Sequence, residues 1–363
     1  MFFGKFAKSV NFHLLSKMQQ STLVKKICTH NGVFHCDDVL ACFLLKQLPE
    51  YKDSPIIRTR DPKVIEECDI VVDVGGVYDH SKCRYDHHQR DFNFTLNKLD
   101  PQKPFDIKLS SAGLVYYHYG RTIINNILEQ QGLFDSEDKY QTDILFDTIY
   151  ESFIQEIDAI DNGVSICEGK PRYTINSDLS TRVGHLRPHW NEESTNEVLY
   201  ERFQKAMDLV GQEFHERVSY YSKVWYPAKK YVKQAVRDRK TVHPSGTIID
   251  LSLNGGLPWK EHLFAVEKEM DIVGEIKFAI FQDLSKDWRV CCVPIFAKSF
   301  TLRTPLHIEW RGLRDEKLSQ VSDIPDCIFV HATGFIGGAR TREACVAMAV
   351  KTLDLAAKEE SKE

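Results

Sequence analysis

From Leu23 onward, short continuous apolar runs alternate with stretches in which apolar residues recur every three or four positions. The runs LVKKICT (from Leu23), PIIRTR (from Pro55) and DIVVDV (from Asp69) read as strands. The last is a β-branched run of the kind that fills the middle of a parallel sheet. Between them, DDVLACFLLKQL reads as a helix, with Asp37 and Asp38 in its first turn, where the helix dipole favours anions. DPKVIEEC reads as a short helix with Asp61 as its cap and Pro62 in first position. Such alternation predicts an α/β fold whose N-terminal domain is an open, mainly parallel sheet with right-handed crossovers.

Further on, SSAGLVYYHYGRTIINNIL reads as a helix capped by Ser110 or Ser111. Another starts near Asp138, runs through FIQEIDAIDNG and stops at Gly163. Residues 193–240 are mostly helical, with Pro227 predicting a kink or break. After them come four strand-like runs, TIIDLSL, IKFAIFQ, WRVCCVPI and CIFVHA, and a closing helix from about Arg340 to Lys358. The expected organisation is a tail (1–22), a catalytic domain (23–192), a helical linker (193–240) and a smaller α/β substrate-binding domain (241–363).

The 363 residues allow two domains. A net charge of −5 argues against a basic protein that coats nucleic acid, while leaving room for a local basic groove. The ten cysteines include no C-x-x-C pair, which speaks against a zinc ribbon and for free thiols in a reducing compartment. No apolar stretch approaches the eighteen residues of a membrane span. The first 26 residues carry five lysines and no acid, the first acid being Asp37. That composition predicts a mitochondrial presequence, although arginine is missing from it.

The chemistry gathers where a parallel sheet places its ligands, beyond the carboxyl ends of the strands. HNGVFHCDD offers His30, His35, Asp37 and Asp38; VVDVGG offers Asp73; RYDHH offers Asp86, His87 and His88. Imidazole together with carboxylate suits Mn²⁺, Fe²⁺, Zn²⁺ or Co²⁺, and carboxylate with water suits Mg²⁺. So many ligands from separate loops fit two ions better than one. Asp79 and His80 read as a plain turn. In the C-terminal half, His331 ends a strand, Gly334, Gly337 and Gly338 form a glycine-bearing loop, and Arg340 and Arg342 open a helix. This set predicts a phosphate-binding cradle. Trp259, after the Gly-Gly of NGGLPWK, is a candidate for stacking on a base.

HNGVFHCDD, VVDVGG and RYDHH, in that order, resemble the DHH phosphoesterase superfamily. With SSAGLVY and IDAIDNG added, the chain more closely resembles the melanocyte-proliferating-gene family of metal-dependent exonucleases, from about Ile27 to the last helix. The resemblance implies hydrolysis of phosphodiesters with two divalent ions, Mn²⁺ or Mg²⁺. It also implies 3′→5′ degradation of RNA in mitochondria and nucleus, with single-stranded RNA, or DNA, as the substrate. Residue by residue, it implies His35 and Asp37 as metal ligands, with His30 a further ligand or a close support. Asp73 becomes the bridging carboxylate. His87 becomes a ligand whose tautomer Asp86 fixes, and His88 faces the substrate phosphate as a catalytic group. One more ligand comes from IDAIDNG, where Asp161 is preferred to Asp158; Asp147 is a third candidate. The superfamily's paired aspartates of the first motif are here His35–Cys36–Asp37, which shifts the expected ion towards Mn²⁺. Two other readings use the same residues: a hydrolase of pyrophosphate or small nucleotides, and a non-catalytic metal-binding regulatory protein.

Overall fold

A computed structural model describes residues 24–252 and 256–361. The lysine-rich tail, and Asn254 and Gly255 of the second Gly-Gly turn, lie outside them. The chain divides into two compact units, Met1–Val218 and Ser219–Glu363. No helix among the described residues is long and apolar enough to cross a membrane.

The first unit is built on β1 (Ile27–Thr29), β2 (Ile56–Arg58), β3 (Ile70–Val72), β4 (Tyr78–Asp79) and β5 (Arg84–Tyr85). They lie in the order β2-β1-β3-β5-β4. β1 pairs in parallel with β2 and β3, and β3 with β5; only β4 runs antiparallel to its neighbour. β1 and β3 are buried on both faces, which is why their sequences are unbroken apolar runs instead of alternating ones. Helix Cys36–Lys46 connects β1 to β2, and Pro62–Glu66 connects β2 to β3. The latter is capped by the Asp61 carboxylate, which accepts from the Lys63 N–H at 2.9 Å. Helix Ser111–Gln130 packs along Cys36–Lys46, and Ser110 is its cap. β4 and β5, two residues each, are too short to leave a period in the sequence.

The second unit holds β6 (Ile248–Asp250), β7 (Phe278–Gln282), β8 (Trp288–Cys292), β9 (Cys327–Val330) and β10 (Ile336–Ala339), in the order β6-β7-β8-β10-β9. Only β6 and β7 are parallel; the other three pairings are antiparallel. Alternation along the strands sends Ile248, Phe278, Ile280 and Val290 to one core with Trp310 and Met348. Ile249, Ala279 and Cys291 go to a second core with Val232 and Leu263. The result is a sheet with helices on both faces.

The structure refines several expectations. The segment 193–240 is mostly helical. Phe203 and Phe214 of helix Asn196–Tyr220 meet Phe34 and Phe43 of the first unit, while Val232 and Val236 belong to the second unit's core. Pro227 does interrupt regular α-helix: it stands in the first turn of helix Tyr226–Arg237, where its missing N–H is tolerated. The helical path is continuous through a wider i→i+5 turn at Tyr221–Trp225. Gly337 and Gly338 form no loop but sit in β10. A Cβ on Gly338 would lie 2.8 Å from the Phe329 ring and 2.7 Å from Arg289, so Gly338 makes room for that stacked pair, while Gly337 lies against Leu306 and Val290. Trp259 is 7% exposed and packed in the second core, which removes its face from any base.

Gly211 tests the packing between helices. Replacing a mid-helix glycine by alanine gains about 1 kcal/mol of helix propensity. Here, however, the new Cβ falls 2.3 Å from the Phe43 ring, and overpacking costs about 1–3 kcal/mol. Gly211→Ala is expected to lower stability in urea denaturation; a more stable variant would contradict this packing.

Candidate metal centre

The site is assembled at the carboxyl ends of β1, β3 and β5. β1 delivers His30, and the following turn brings His35 to the start of helix Cys36–Lys46, where its N–H donates to Asp38 Oδ1 at 2.7 Å. Asp37 and Asp38 thus enter the helix's first turn, 1% and 0% exposed. Asp73 follows β3 with φ of 57°, a left-handed conformation that Asp and Asn tolerate better than most residues. β5 leads into Asp86, His87 and His88. Gly76, with φ of 69°, turns its N–H onto Asp86 Oδ2 at 2.6 Å. Asp161 arrives from the last turn of helix Gln155–Asp161.

The convergence is close. His30 Nε2 lies 3.3 Å from both Asp38 Oδ2 and Asp73 Oδ2. His87 Nε2 lies 3.1 Å from Asp161 Oδ2, 3.4 Å from Asp73 Oδ1 and 3.7 Å from Asp37 Oδ2. Asp73 also has His88 Nδ1 at 3.5 Å. It belongs to three of the four overlapping residue triplets able to hold an ion, those with His30 and His35, with His87 and His88, and with Asp37 and Asp38; the fourth is Asp37, His87 and Asp161. Ligands about 2.0–2.2 Å from a shared ion stand roughly 3.0–3.5 Å apart at octahedral or tetrahedral angles, which is the spacing found here. The unmet polar atoms agree. Both Asp37 oxygens, Asp38 Oδ2 and both His87 ring nitrogens are buried without a hydrogen-bond partner, an expensive state unless a cation takes them up. The donor set therefore fits divalent metal.

Electrostatics point the same way. Burial, then the charges of Asp73, Asp161 and Asp38, drive the Asp37 carboxyl well above its usual range. Burial lifts Asp38 to about 7 in spite of His30. Burial also opposes the Asp73 carboxylate, but the His30 and His87 imidazoles close beside it outweigh burial and hold its pKa below the ordinary value. His87 is raised to about 9, because Asp161 and Asp73 overcome the burial of its ring. Without an ion, protons gather on imidazoles and on Asp37 to neutralise the aspartates.

His30, His35, Asp37, Asp73, His87 and Asp161 are thus brought together. Asp158 is not, and Asp147 pairs instead with Lys103 at 2.7 Å. Asp86 does not support His87. It accepts from the His88 N–H at 3.1 Å and lies 2.8 Å from His88 Nδ1, so the imidazole it orients is that of His88. The expected phosphate cradle is not assembled either. His331 and Gly334 lie in the β9–β10 turn, whereas Arg340 and Arg342 follow the far end of β10. Arg342 is also bound to Asp250 at 2.7 Å. One contributor was missed, Ser111, whose hydroxyl donates to Asp73 Oδ1 at 3.0 Å; Asp38, offered by the first motif, joins the cluster beside His30.

Asp158 has another task. Its Oδ1 accepts from the Ser110 N–H at 2.9 Å and the Ser110 hydroxyl at 2.7 Å, and its Oδ2 accepts from Tyr150 at 3.0 Å. A Cβ on Gly113 would lie 2.4 Å from this carboxylate. Asp158 therefore fixes the start of helix Ser111–Gln130, and with it the Ser111 brace on Asp73, one helical turn from Asp161.

A buried cluster of His and Asp at the carboxyl edge of a mainly parallel α/β sheet defines a candidate divalent-metal protein. The chain belongs to the MYG1 exonuclease family, described as an uncharacterised protein family (UPF0160), whose family model matches residues 26–353. It is 50% identical over 329 residues to the MYG1 exonuclease of Homo sapiens, covering 90% of this chain and 85% of that one. It is 51% identical over 330 residues to the MYG1 protein of Dictyostelium discoideum, covering 90% and 96%. A MYG1 protein of Saccharomyces cerevisiae is 42% identical over 346 residues, covering 92% and 97%. No solved structure matches the chain.

Two outcomes follow from the charge balance. Asp37→Asn should make the metal-free protein more stable while abolishing the rise in melting temperature that Mn²⁺ gives the parent; a parent unmoved by Mn²⁺ would contradict the site. Burial raises Asp158 from 3.8 to about 7, so the folded state holds the extra proton and stability falls as pH rises through that window. Asp158→Asn keeps a partner for Ser110 and should remove this contribution, seen as a flatter stability profile in urea melts between pH 4 and 7. Asp158→Ala should cost about 2–4 kcal/mol at all pH values by leaving buried donors unpaired.

Proposed function

We propose that this protein is a metal-dependent phosphodiesterase, a 3′→5′ exonuclease acting on single-stranded RNA, with two divalent ions at the Asp73 centre. The reading rests on the buried, unpartnered oxygens of Asp37 and the nitrogens of His87 around Asp73, in a chain similar throughout to proteins called exonucleases. His30, His35 and Asp73 would hold one ion, and Asp37, His87 and Asp161 the other, with Asp73 shared. Bound there, divalent ions supply a Lewis acid for the phosphoryl oxygen and lower the pKa of an attacking water. The imidazole content favours Mn²⁺ over Mg²⁺.

The protein's own groups do the positioning. Asp73, braced by Ser111, presents its carboxylate rigidly. His88 has Nδ1 committed to Asp86, and its half-exposed ring leaves Nε2 for the substrate, placed to donate a proton to the leaving oxygen.

The test is hydrolysis of a 5′-labelled single-stranded RNA, with pyrophosphate in parallel, across Mn²⁺, Mg²⁺ and Zn²⁺. A ladder shortening from the 3′ end, absent in Asp73→Asn and His87→Ala, is expected, with rate losses of at least about 100-fold. Phosphate release from pyrophosphate without that ladder would keep the centre and overturn the substrate.

A further inference from the structure

Beside the metal centre lies a cavity of about 840 Å³, within the size range of small-ligand sites. One wall is the centre itself: His35, His87 and Asp161. The lining also includes Lys108, His185 and Arg187. Among the described residues, neither Lys108 nor Arg187 has a carboxylate within ion-pair distance, whereas Arg182, Arg202, Arg303 and Arg342 each have one. Arg187 is half-buried, and its Nε donates to the Phe34 carbonyl at 2.7 Å. That bond fixes the guanidinium next to His35. A half-buried guanidinium with no carboxylate in direct contact has hydrogen-bond donors to spare, and an incoming phosphate is a natural partner for them.

The chain just beyond Arg187 is arranged to display a ring. Pro188 stiffens the backbone. His189 and Glu192 then close a turn twice over: the His189 N–H donates to Glu192 Oε2 at 3.0 Å, and the Glu192 N–H to the His189 carbonyl at 3.0 Å. Glu192 is further tied to Arg202 of helix Asn196–Tyr220 at 3.6 Å. On the tip of this pinned turn stands Trp190, 97% exposed. Three residues span at most about 11 Å, so the indole and the Arg187 guanidinium lie within reach of neighbouring nucleotides.

We propose that His185–Trp190 is a binding strip for single-stranded nucleic acid on the first unit. Arg187 takes a backbone phosphate next to the one cleaved, and Trp190 stacks on the base of a nucleotide farther along. The proposal rests on the phosphodiesterase reading for its substrate class and supplies the stacking ring that buried Trp259 does not. Cation and exposed aromatic together are the elements of sequence-tolerant single-strand binding.

The experiment measures binding of a 5′-fluorescein octaadenylate to the full chain by anisotropy, with chelator present to prevent turnover, and then Mn²⁺-supported hydrolysis of the octamer and of the dinucleotide pApA. Arg187→Gln should weaken octamer binding by about 20-fold, with partial recovery in Arg187→Lys. Trp190→Ala should weaken it about tenfold and Trp190→Tyr far less. In hydrolysis the losses should fall on KM, and the Trp190→Ala loss should be larger for the octamer than for pApA. Tyr140→Ala, an exposed ring elsewhere on the unit, is the control and should match the parent. Octamer binding within twofold of the parent in both Arg187→Gln and Trp190→Ala would overturn the strip, whether or not the parent degrades RNA. A parent that binds the octamer through these residues yet hydrolyses none of it would keep the strip and remove the exonuclease reading.

Discussion

Four aspartates, Asp37, Asp38, Asp73 and Asp161, converge with only two buried imidazoles, His30 and His87, between them. Carboxylates this close and this buried cannot all remain ionised without a cation. Much of the first unit answers that constraint. The strand ends set the carboxylates in place, the first turn of Cys36–Lys46 contributes favourable backbone dipoles, and Ser111 and Asp86 fix the orientation of Asp73 and His88. A fold that relaxed to relieve the repulsion would lose the site, so rigidity around it is a requirement rather than an accident of packing.

That rigidity comes from a buried polar arrangement beneath the cluster of His and Asp. Asp158 joins the cap of one helix to the hydroxyl of Tyr150, and Asn162 donates to the Lys108 carbonyl at 3.0 Å and to the Asp158 carbonyl at 2.9 Å. Satisfied networks of this kind specify a single geometry, because each member has nowhere else to find its partner. The apolar layers around it, such as Tyr116 stacked on Phe146 at 4.6 Å, add mass without direction; the hydrogen bonds supply direction.

Much of this was legible in the sequence. The unbroken runs at Ile27–Thr29 and Ile70–Val72 announce buried parallel strands, and each is followed at once by polar residues that a sheet places at its ligand edge. What could not be read has specific causes. Ser110 and Ser111 are chemically alike, and only the helix geometry assigns one to the cap and the other to Asp73. Asp158 and Asp161 share a helical face in projection, yet one meets Ser110 and the other His87. Neighbouring aspartates differ by what lies opposite them, which is long-range information. In the second unit, the Gly-Gly of β10 carries the local signature of a loop, while Gly338 answers to the Phe329–Arg289 pair on the adjacent strands and Gly337 to Leu306 and Val290.

The left-handed backbone at Asp73 has a consequence for how such a centre can diversify. β-Branched side chains enter that conformation poorly, and Asp, Asn and His more readily than most, so the main chain narrows what position 73 can carry whatever the ion. His35 and Asp37 carry no such backbone restriction: His35 has an extended backbone and Asp37 a helical one. A lineage adapting to a different ion therefore has room to exchange ligands at the entrance of the first helix, while position 73 holds still as the fixed point about which the others vary.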